Sequence, residues 1–398
     1  MSRPSALVLT PRLPWPLDDG GRIVGWQSVW AASRAYETTL VSLVPPGDET
    51  LPLPSVFGEN GIQVVRVPHR PPDRLAAVWE GLFGRWPYTL ARYRNPDLPG
   101  VLRARIAERR PALVIVNHLH MATYTEDLDG VPVVLREHNL EYVWMQRYAR
   151  RLGFTPAGFY ARAQVKRLRK AERDLVRRAS LVLAIQPEES DELRALAPGA
   201  RVEVLPVGVD PTRYAEPQPG EPPVVLLAGS FAWPPNVDGA IQFMRNGWPR
   251  VVARVPRARL RVVGKDPPKS LRHAADRIGV EVVGYVNSIA EELARATVFV
   301  VPLWTGAGVR VRIVEALAAR VPIAATRLAA EGLGLNAGEH YAAGDTAGEL
   351  GGQVATLLLS PELREVFRTR GRALAEERWG LSAIADLQNR LCAETVER

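Results

Sequence analysis

The chain has 398 residues, 46% of them hydrophobic and 24% charged, with a formal net charge of +8. At roughly 150 residues per domain this is room for two or three domains with ample core, and the composition excludes a disordered chain. The positive excess favours anionic partners, and the single cysteine, Cys392, excludes an internal disulfide and a cysteine-based metal cluster.

In chain order, SALVLTP (5–11) reads as a first strand, a short apolar run closed by turn residues. The loop RLPWPLDDGGR follows, with Gly20 and Gly21 near its end and an acidic pair read as a turn. IVGWQSVWAASRA (23–35) then has helical spacing, and TTLVSLV (38–44) is a second strand. Further strands are expected at 63–68, 112–117, 131–137 and 180–185, with helices between them. Residues 201–223 are rich in proline and glycine and read as an interdomain linker. A second series of strands is expected at 224–230, 260–265, 280–285, 298–303 and 321–327, with helices near 348–358 and 361–377 and a last helix from Leu381. The expected architecture is α/β: two Rossmann-like, doubly wound parallel sheets with a cleft between the domains. The expected domains are 1–205, 206–380 and a C-terminal helix, 381–398, that packs back on the first domain. No apolar run approaches the ~18–20 residues of a membrane span, and the N-terminus is too short in apolar residues for a signal peptide. A cytoplasmic protein is expected, with peripheral attachment to the inner face of a membrane left open.

Open parallel sheets bind ligands beyond the carboxyl ends of their strands, and there the chain is most informative. After the strand ending at Leu303, the turn Thr305-Gly306-Ala307-Gly308 opens a helix carrying Arg310, Arg312 and Glu315. Exposed amides at a helix start attract phosphate, and small residues let an anion approach the backbone. Arg312 and Glu315 lie three apart on one helix face, where a guanidinium and a carboxylate can hold a diphosphate and a ribose diol. The competing reading of the same spacing is a surface ion pair. His138, between Glu137 and Asn139, follows a strand end, as do His118 and His120 in NHLHM. The latter two are candidates for the acceptor side; as a zinc pair they lack nearby partners. Asn236 and Asp238 read as helix caps, and Trp15, Trp26, Trp144 and Trp233 as core or lip residues. Residues 147–178 carry eleven Lys and Arg against two acids, Glu172 and Asp174. This stretch reads either as a solvated helix face, with Val165, Leu168, Leu175 and Val176 turned inward, or as a surface for anionic membrane. No nucleic-acid signature accompanies it, so no nucleic-acid partner is expected.

The segment 302–333 resembles the C-terminal signature of GT-B glycosyltransferases of family 4, the glycosyl transferases of group 1. That signature runs roughly G-x-G-x-(R/K)-x-K-x-x-E-A-x-A-x-G-x-P-V-V-A-T, and Gly306, Gly308, Glu315, Ala316, Ala318, Pro322, Ala325 and Thr326 match it. LPWPLDDGGR, PVVLREHNLEY, LPVGVD and LAGSFAWPPNVDG resemble four further family motifs in the right order, so the resemblance covers nearly the whole chain.

The resemblance implies a hexosyltransferase-type enzyme that moves a sugar from a nucleotide donor to a glycan, lipid-linked or small-molecule acceptor. It implies retention of anomeric configuration, no bound metal and no cofactor beyond the nucleotide-sugar substrate. It assigns Glu315 to the donor ribose, and Gly306, Gly308 and the backbone at Val309 to the diphosphate and sugar. His138 falls at the family's active-site histidine, Gly20 and Gly21 at its phosphate-closing loop, and Gly284 and Tyr285 where the base ring is held. Arg312 stands in place of the family's lysine and, with Arg310 and the turn amides, would offset the leaving diphosphate. Two departures stand out: Ala307 occupies the position of the family's first glutamate, and Arg320 that of a glycine expected at a helix end. A nucleotide-sugar epimerase on the same fold and a non-catalytic nucleotide-sugar-binding protein are the alternative readings.

Overall fold

Thirteen strands are seen in the computed structural model, which describes residues 3–17, 19–128, 130–306 and 310–397. In the first half they are β1 (Ser5–Thr10), β2 (Glu37–Val44), β3 (Gln63–Pro68), β4 (Leu113–Asn117), β5 (Val133–Arg136), β6 (Leu181–Ala184) and β7 (Val202–Val204). In the second half they are β8 (Val224–Ala228), β9 (Arg259–Val263), β10 (Glu281–Gly284), β11 (Val298–Val301), β12 (Ile323–Ala325) and β13 (Ala342–Ala343). The central apolar runs give strands buried on both faces, every residue of β4 and β11 included, whereas the edge strands β3 and β10 are only partly buried.

The first sheet has the order β3-β2-β1-β4-β5-β6-β7 and the second β10-β9-β8-β11-β12-β13, and every pairing is parallel. Both orders reverse beside their first strand, the arrangement of doubly wound sheets. Apolar clusters cover both faces of each sheet: Leu9, Val116 and Leu135 on one face of the first and Val8, Ile115 and Val134 on the other. Leu226, Phe299 and Ile323 and, opposite them, Val225, Val300 and Ala324 do the same for the second.

The chain divides into two compact units. Of the described residues the first holds those up to Leu17, Gly21–Val207 and those from Ala383 onward; the second holds Gly208–Ser382 and, from the N-terminal segment, Asp19 and Gly20. Within the first unit the last helix, Leu381–Val396, buries Cys392 and hydrogen-bonds through Gln388 and Asn389 to the carbonyls of Ser28 and Ala31.

Several local expectations need correction. The segment read as linker from residue 201 begins with an edge strand, β7, and β13 was not foreseen at all. Gly20 and Gly21 open the helix Gly20–Ala35 rather than precede it. Asn236 and Asp238 are not caps: the helix Pro234–Gln242 already contains them, and the Asn236 amide reaches back 2.8 Å to the carbonyl of Ser230. The helix Pro156–Arg178 buries Leu168, Leu175 and Val176 as expected, but Glu172 is buried with them instead of lying on a solvated face. The helix that carries Glu315 starts at Val311.

Candidate functional site

In the second unit, glycines bring the loops beyond the strand ends close together. Gly229 follows β8 and donates to the carbonyl of Val263 at 3.1 Å, and Phe231 donates to that of Lys265 at 3.1 Å. A Cβ on Gly264 would meet the carbonyl oxygen of Gly229, and one on Gly239 that of Pro302. Gly284 closes β10 in the left-handed region and accepts from the amide of Gly264 at 2.7 Å; Tyr285 next to it is exposed. Gly306 has φ +125°, and a Cβ there would press into the Trp233 ring at 2.6 Å. The Arg310 guanidinium lies over the same ring, 4.6 Å from its centre, so Gly306, Trp233 and Arg310 form one packed group. Trp233 thus belongs beside this turn, a position its own sequence neighbours do not reveal.

Glu315 sits in the helix Val311–Ala318 and is only 8% exposed. Burying a carboxylate is costly unless it is paired and hydrogen-bonded. Both conditions are met here: Arg312 donates to its Oε2 atom at 2.7 Å and the Tyr214 hydroxyl donates to its Oε1 atom at 3.1 Å. The expected i,i+3 pair therefore exists, but it is largely buried rather than a surface pair. An ionised carboxylate has about four acceptor positions, so two remain for ligand hydroxyls. Burial, and next the neighbouring Glu315 charge, push the Tyr214 hydroxyl well above its ordinary pKa, so it stays a hydrogen-bond donor. Tyr214 was missed in the sequence because it follows the turn Pro211–Arg213, far along the chain from Glu315.

The helix carrying Glu315 ends at Ala318, and Arg320 just beyond it adopts φ +56°. The Val321 amide bonds to the Ala316 carbonyl at 2.9 Å and the Arg320 amide to that of Leu317 at 3.0 Å. This is the left-handed helix stop that favours glycine, at the position where the resembled family carries one. Ala307, Gly308 and Val309, the latter two assigned above to diphosphate and sugar, lie outside the described residues.

In the first unit the three histidines form a cluster at the ends of β4 and β5. His118 and His138 stack with ring centres 3.5 Å apart, and His138 Nε2 lies 3.5 Å from Asn117 Oδ1. His120 packs on Tyr93 with ring centres 4.4 Å apart and faces Glu141 at 3.9 Å. His118 has φ +68°, a backbone state that is costly for a residue with a Cβ and that concentrates at functional sites. Burial is the largest cause holding all three imidazoles below their ordinary pKa. For His118 the next cause is His138, and for His138 it is Arg136. Neutral rings can each donate and accept one hydrogen bond, which suits sugar hydroxyls. Among the described residues no group of three or more His, Cys, Asp or Glu side chains is placed to hold a metal ion.

The same unit holds charged groups whose burial the sequence did not reveal. Arg136 is fully buried and donates to the carbonyl of Pro206 at 3.2 Å and to that of Leu205. Glu172 accepts from the amides of Glu141 and Tyr142 at 2.9 and 3.0 Å, satisfying the first turn of the helix Glu141–Leu152. Burial, more than its acidic neighbours, raises Glu172 to about 8 and Glu137 well above the carboxylate range.

Two family models match the chain: Glycosyltransferase Family 4 over residues 32–213 and Glycosyl transferases group 1 over residues 222–360. No curated protein matches it in sequence. Among solved structures, sucrose-phosphate synthase from Thermosynechococcus elongatus is similar at 17% identity, with a TM-score of 0.74 over 98% of this chain and 99% of that one. HepE of Anabaena, solved with UDP and glucose, is 14% identical, with a TM-score of 0.70 over 98% of this chain and 100% of that one. WaaG, a glycosyltransferase involved in lipopolysaccharide biosynthesis, is 14% identical, with a TM-score of 0.68 over 97% and 98% of the two chains. At these identities the likeness is one of fold.

Proposed function

Since this chain belongs to the group 1, family 4-like glycosyltransferases of the GT-B fold, we propose that it transfers a sugar from a nucleotide-sugar to a glycan, lipid-linked or small-molecule acceptor with retention of anomeric configuration. The observation that carries this reading is Glu315, buried and held by Arg312 and Tyr214 with acceptor positions to spare. A carboxylate oriented in this way accepts both hydrogens of a ribose diol, as the family resemblance assigns. HepE has been solved with UDP and with UDP-glucose, which supports a uridine diphosphate sugar as the first donor to try.

The positive charge that offsets the leaving diphosphate comes, on this reading, from Arg312, Arg310 and the amide end of the helix Val311–Ala318. No bound metal is then required. As the bond between anomeric carbon and phosphate oxygen lengthens, positive charge builds on the sugar. The departing phosphate takes the acceptor's proton on the same face, so the acceptor oxygen replaces it with retention. His138 is assigned to the sugar hydroxyls as a neutral donor or acceptor, Gly284 and Tyr285 to the base, and Gly20 and Gly21 to the phosphate. His118 and His120 are assigned to the acceptor side. The basic stretch 147–178 is assigned to an anionic membrane surface at which a lipid-linked acceptor would be met.

A thermal-shift panel of UDP-, GDP- and ADP-sugars, followed by product analysis with and without acceptor, tests this. Stabilisation by one nucleotide family and transfer of its sugar are expected. Stabilisation without transfer or hydrolysis would favour a binding protein, and no stabilisation by any donor would remove the reading.

A further inference from the structure

The helix Arg74–Phe83 is built inside out. Its small residues Ala77 and Gly81 are buried, whereas Leu75, Trp79, Leu82 and Phe83 point the other way. These four fall at i, i+4, i+7 and i+8, a single helix face. Leu75 is 82% exposed, Trp79 67% and Phe83 68%, and the two aromatic rings lie 4.6 Å apart. Gly81 fits the burial pattern: a Cβ there would meet the Tyr160 hydroxyl and crowd Tyr88 at 3.1 Å.

This helix lies against the start of the basic helix Pro156–Arg178. Tyr160 donates to the carbonyl of Val78 at 3.3 Å, Gln164 to that of Gly81 at 2.8 Å and Arg167 to that of Leu82 at 3.2 Å. Two more exposed rings flank the seam: Phe154, 86% exposed, and Phe159, with Arg162 over both. Directly after Phe83 the chain borders a cavity of about 350 Å³ whose walls include Arg85, Trp86, Arg167, Lys170, Asp174 and Arg178. Glu126 pairs with Arg85 and Arg178, and Asp174 with Lys170, so four cations stand against two carboxylates. An apolar face of this size in water is unfavourable unless something covers it.

We infer that the helix Arg74–Phe83, with Phe154 and Phe159, inserts into the surface of an anionic phospholipid bilayer while the adjoining cationic cavity takes a lipid headgroup phosphate. Charge decides the occupant. Apolar rings rimmed by arginine and lysine match the boundary between acyl chains and acidic headgroups. This deepens the membrane reading of residues 147–178 and rests on it, because it names the element that enters the lipid and the place that holds the phosphate.

Flotation of the full chain with vesicles of phosphatidylcholine, alone or mixed with phosphatidylglycerol, tests the inference. The wild type should float with the mixed vesicles at low salt and much less with phosphatidylcholine alone. The double substitution Trp79→Ser and Phe83→Ser should lower flotation about tenfold or more, since two buried rings are lost. Its melting temperature and nucleotide-sugar stabilisation should stay at wild-type values. Arg85→Glu with Lys170→Glu should abolish the preference for phosphatidylglycerol. Because Cys392 is buried, Leu75→Cys can carry an environment-sensitive dye, which should shift to the blue on mixed vesicles only. If the wild type floats and the Trp79/Phe83 variant floats equally well, the inserting helix is wrong and the basic-surface reading survives. If the wild type does not float at all, both fail. If light scattering instead shows a dimer that the same variant dissolves, with no flotation, the face joins two copies of this chain and the inference is overturned.

Discussion

Tyr214 donates its hydroxyl hydrogen to Oε1 of Glu315 at 3.1 Å, leaving Arg312 to hold the other oxygen at 2.7 Å. The carboxylate is thereby fixed before any ligand arrives, which lowers the ordering cost of binding. Tyr214→Phe keeps the ring and removes only the hydroxyl. Donor affinity is expected to fall by about 1 kcal/mol, roughly fivefold. Titration calorimetry checks this; an unchanged affinity would show that Tyr214 plays no part in orienting Glu315.

Gly306→Ala forces a side chain into the left-handed region and against Trp233. The expected cost is about 1–3 kcal/mol, taken either from stability or from the shape of the turn. Thermal unfolding and donor affinity measured together should register it. If neither changes, Trp233 gives way easily and the turn is not held by that packing.

Arg320→Gly should work in the opposite direction. Arg320 sits at φ +56° as the left-handed stop of the Glu315 helix, where a Cβ costs about 1 kcal/mol. Its ion pair with Glu216 is exposed and offsets little of that. A rise in melting temperature with unchanged turnover is expected from scanning calorimetry; a fall would mean the Glu216 pair outweighs the backbone strain.

The buried titrating groups of the first unit give stability a pH dependence of two signs. Glu172 is raised to about 8, so its contribution is complete below the ordinary carboxylate pKa and fades as pH rises through about 8. His118 and His138 are depressed, so theirs is complete above about 6.5 and is lost as pH falls toward their folded values. Glu172→Gln should lower stability near neutrality, since an amide cannot accept both backbone bonds, yet flatten the decline between about pH 4.5 and 8. Urea denaturation across pH measures both. An equal slope in wild type and variant would assign that decline elsewhere.

His138→Gln retains a polar group but not the imidazole. Turnover is expected to drop about a hundredfold while the melting temperature moves by only a few degrees. Wild-type turnover in a folded variant would remove His138 from the reaction.

Strands were legible in the sequence to within a residue or two because both-face burial demands unbroken apolar runs, as in β4 and β11. β7 and β13 were not, since two or three residues leave no periodicity to read. The Arg312–Glu315 pair was visible because helical spacing fixes it locally. Tyr214 and Trp233 were not, because nothing in sequence ties them to positions 315 and 306. Glu172 shows the same limit from the other side. Set among arginines and lysines it reads as a surface acid, and only the packing of one helix on the next buries it.

The ribose assignment of Glu315 is tested most directly by the affinity of UDP and 2′-deoxy-UDP for the wild type and for Glu315→Gln, measured by calorimetry at one pH. The wild type should prefer UDP, and the substitution should weaken UDP by about 1–3 kcal/mol, roughly 5- to 150-fold, while erasing the difference between the two nucleotides. Equal affinities for both nucleotides in both proteins would contradict the account.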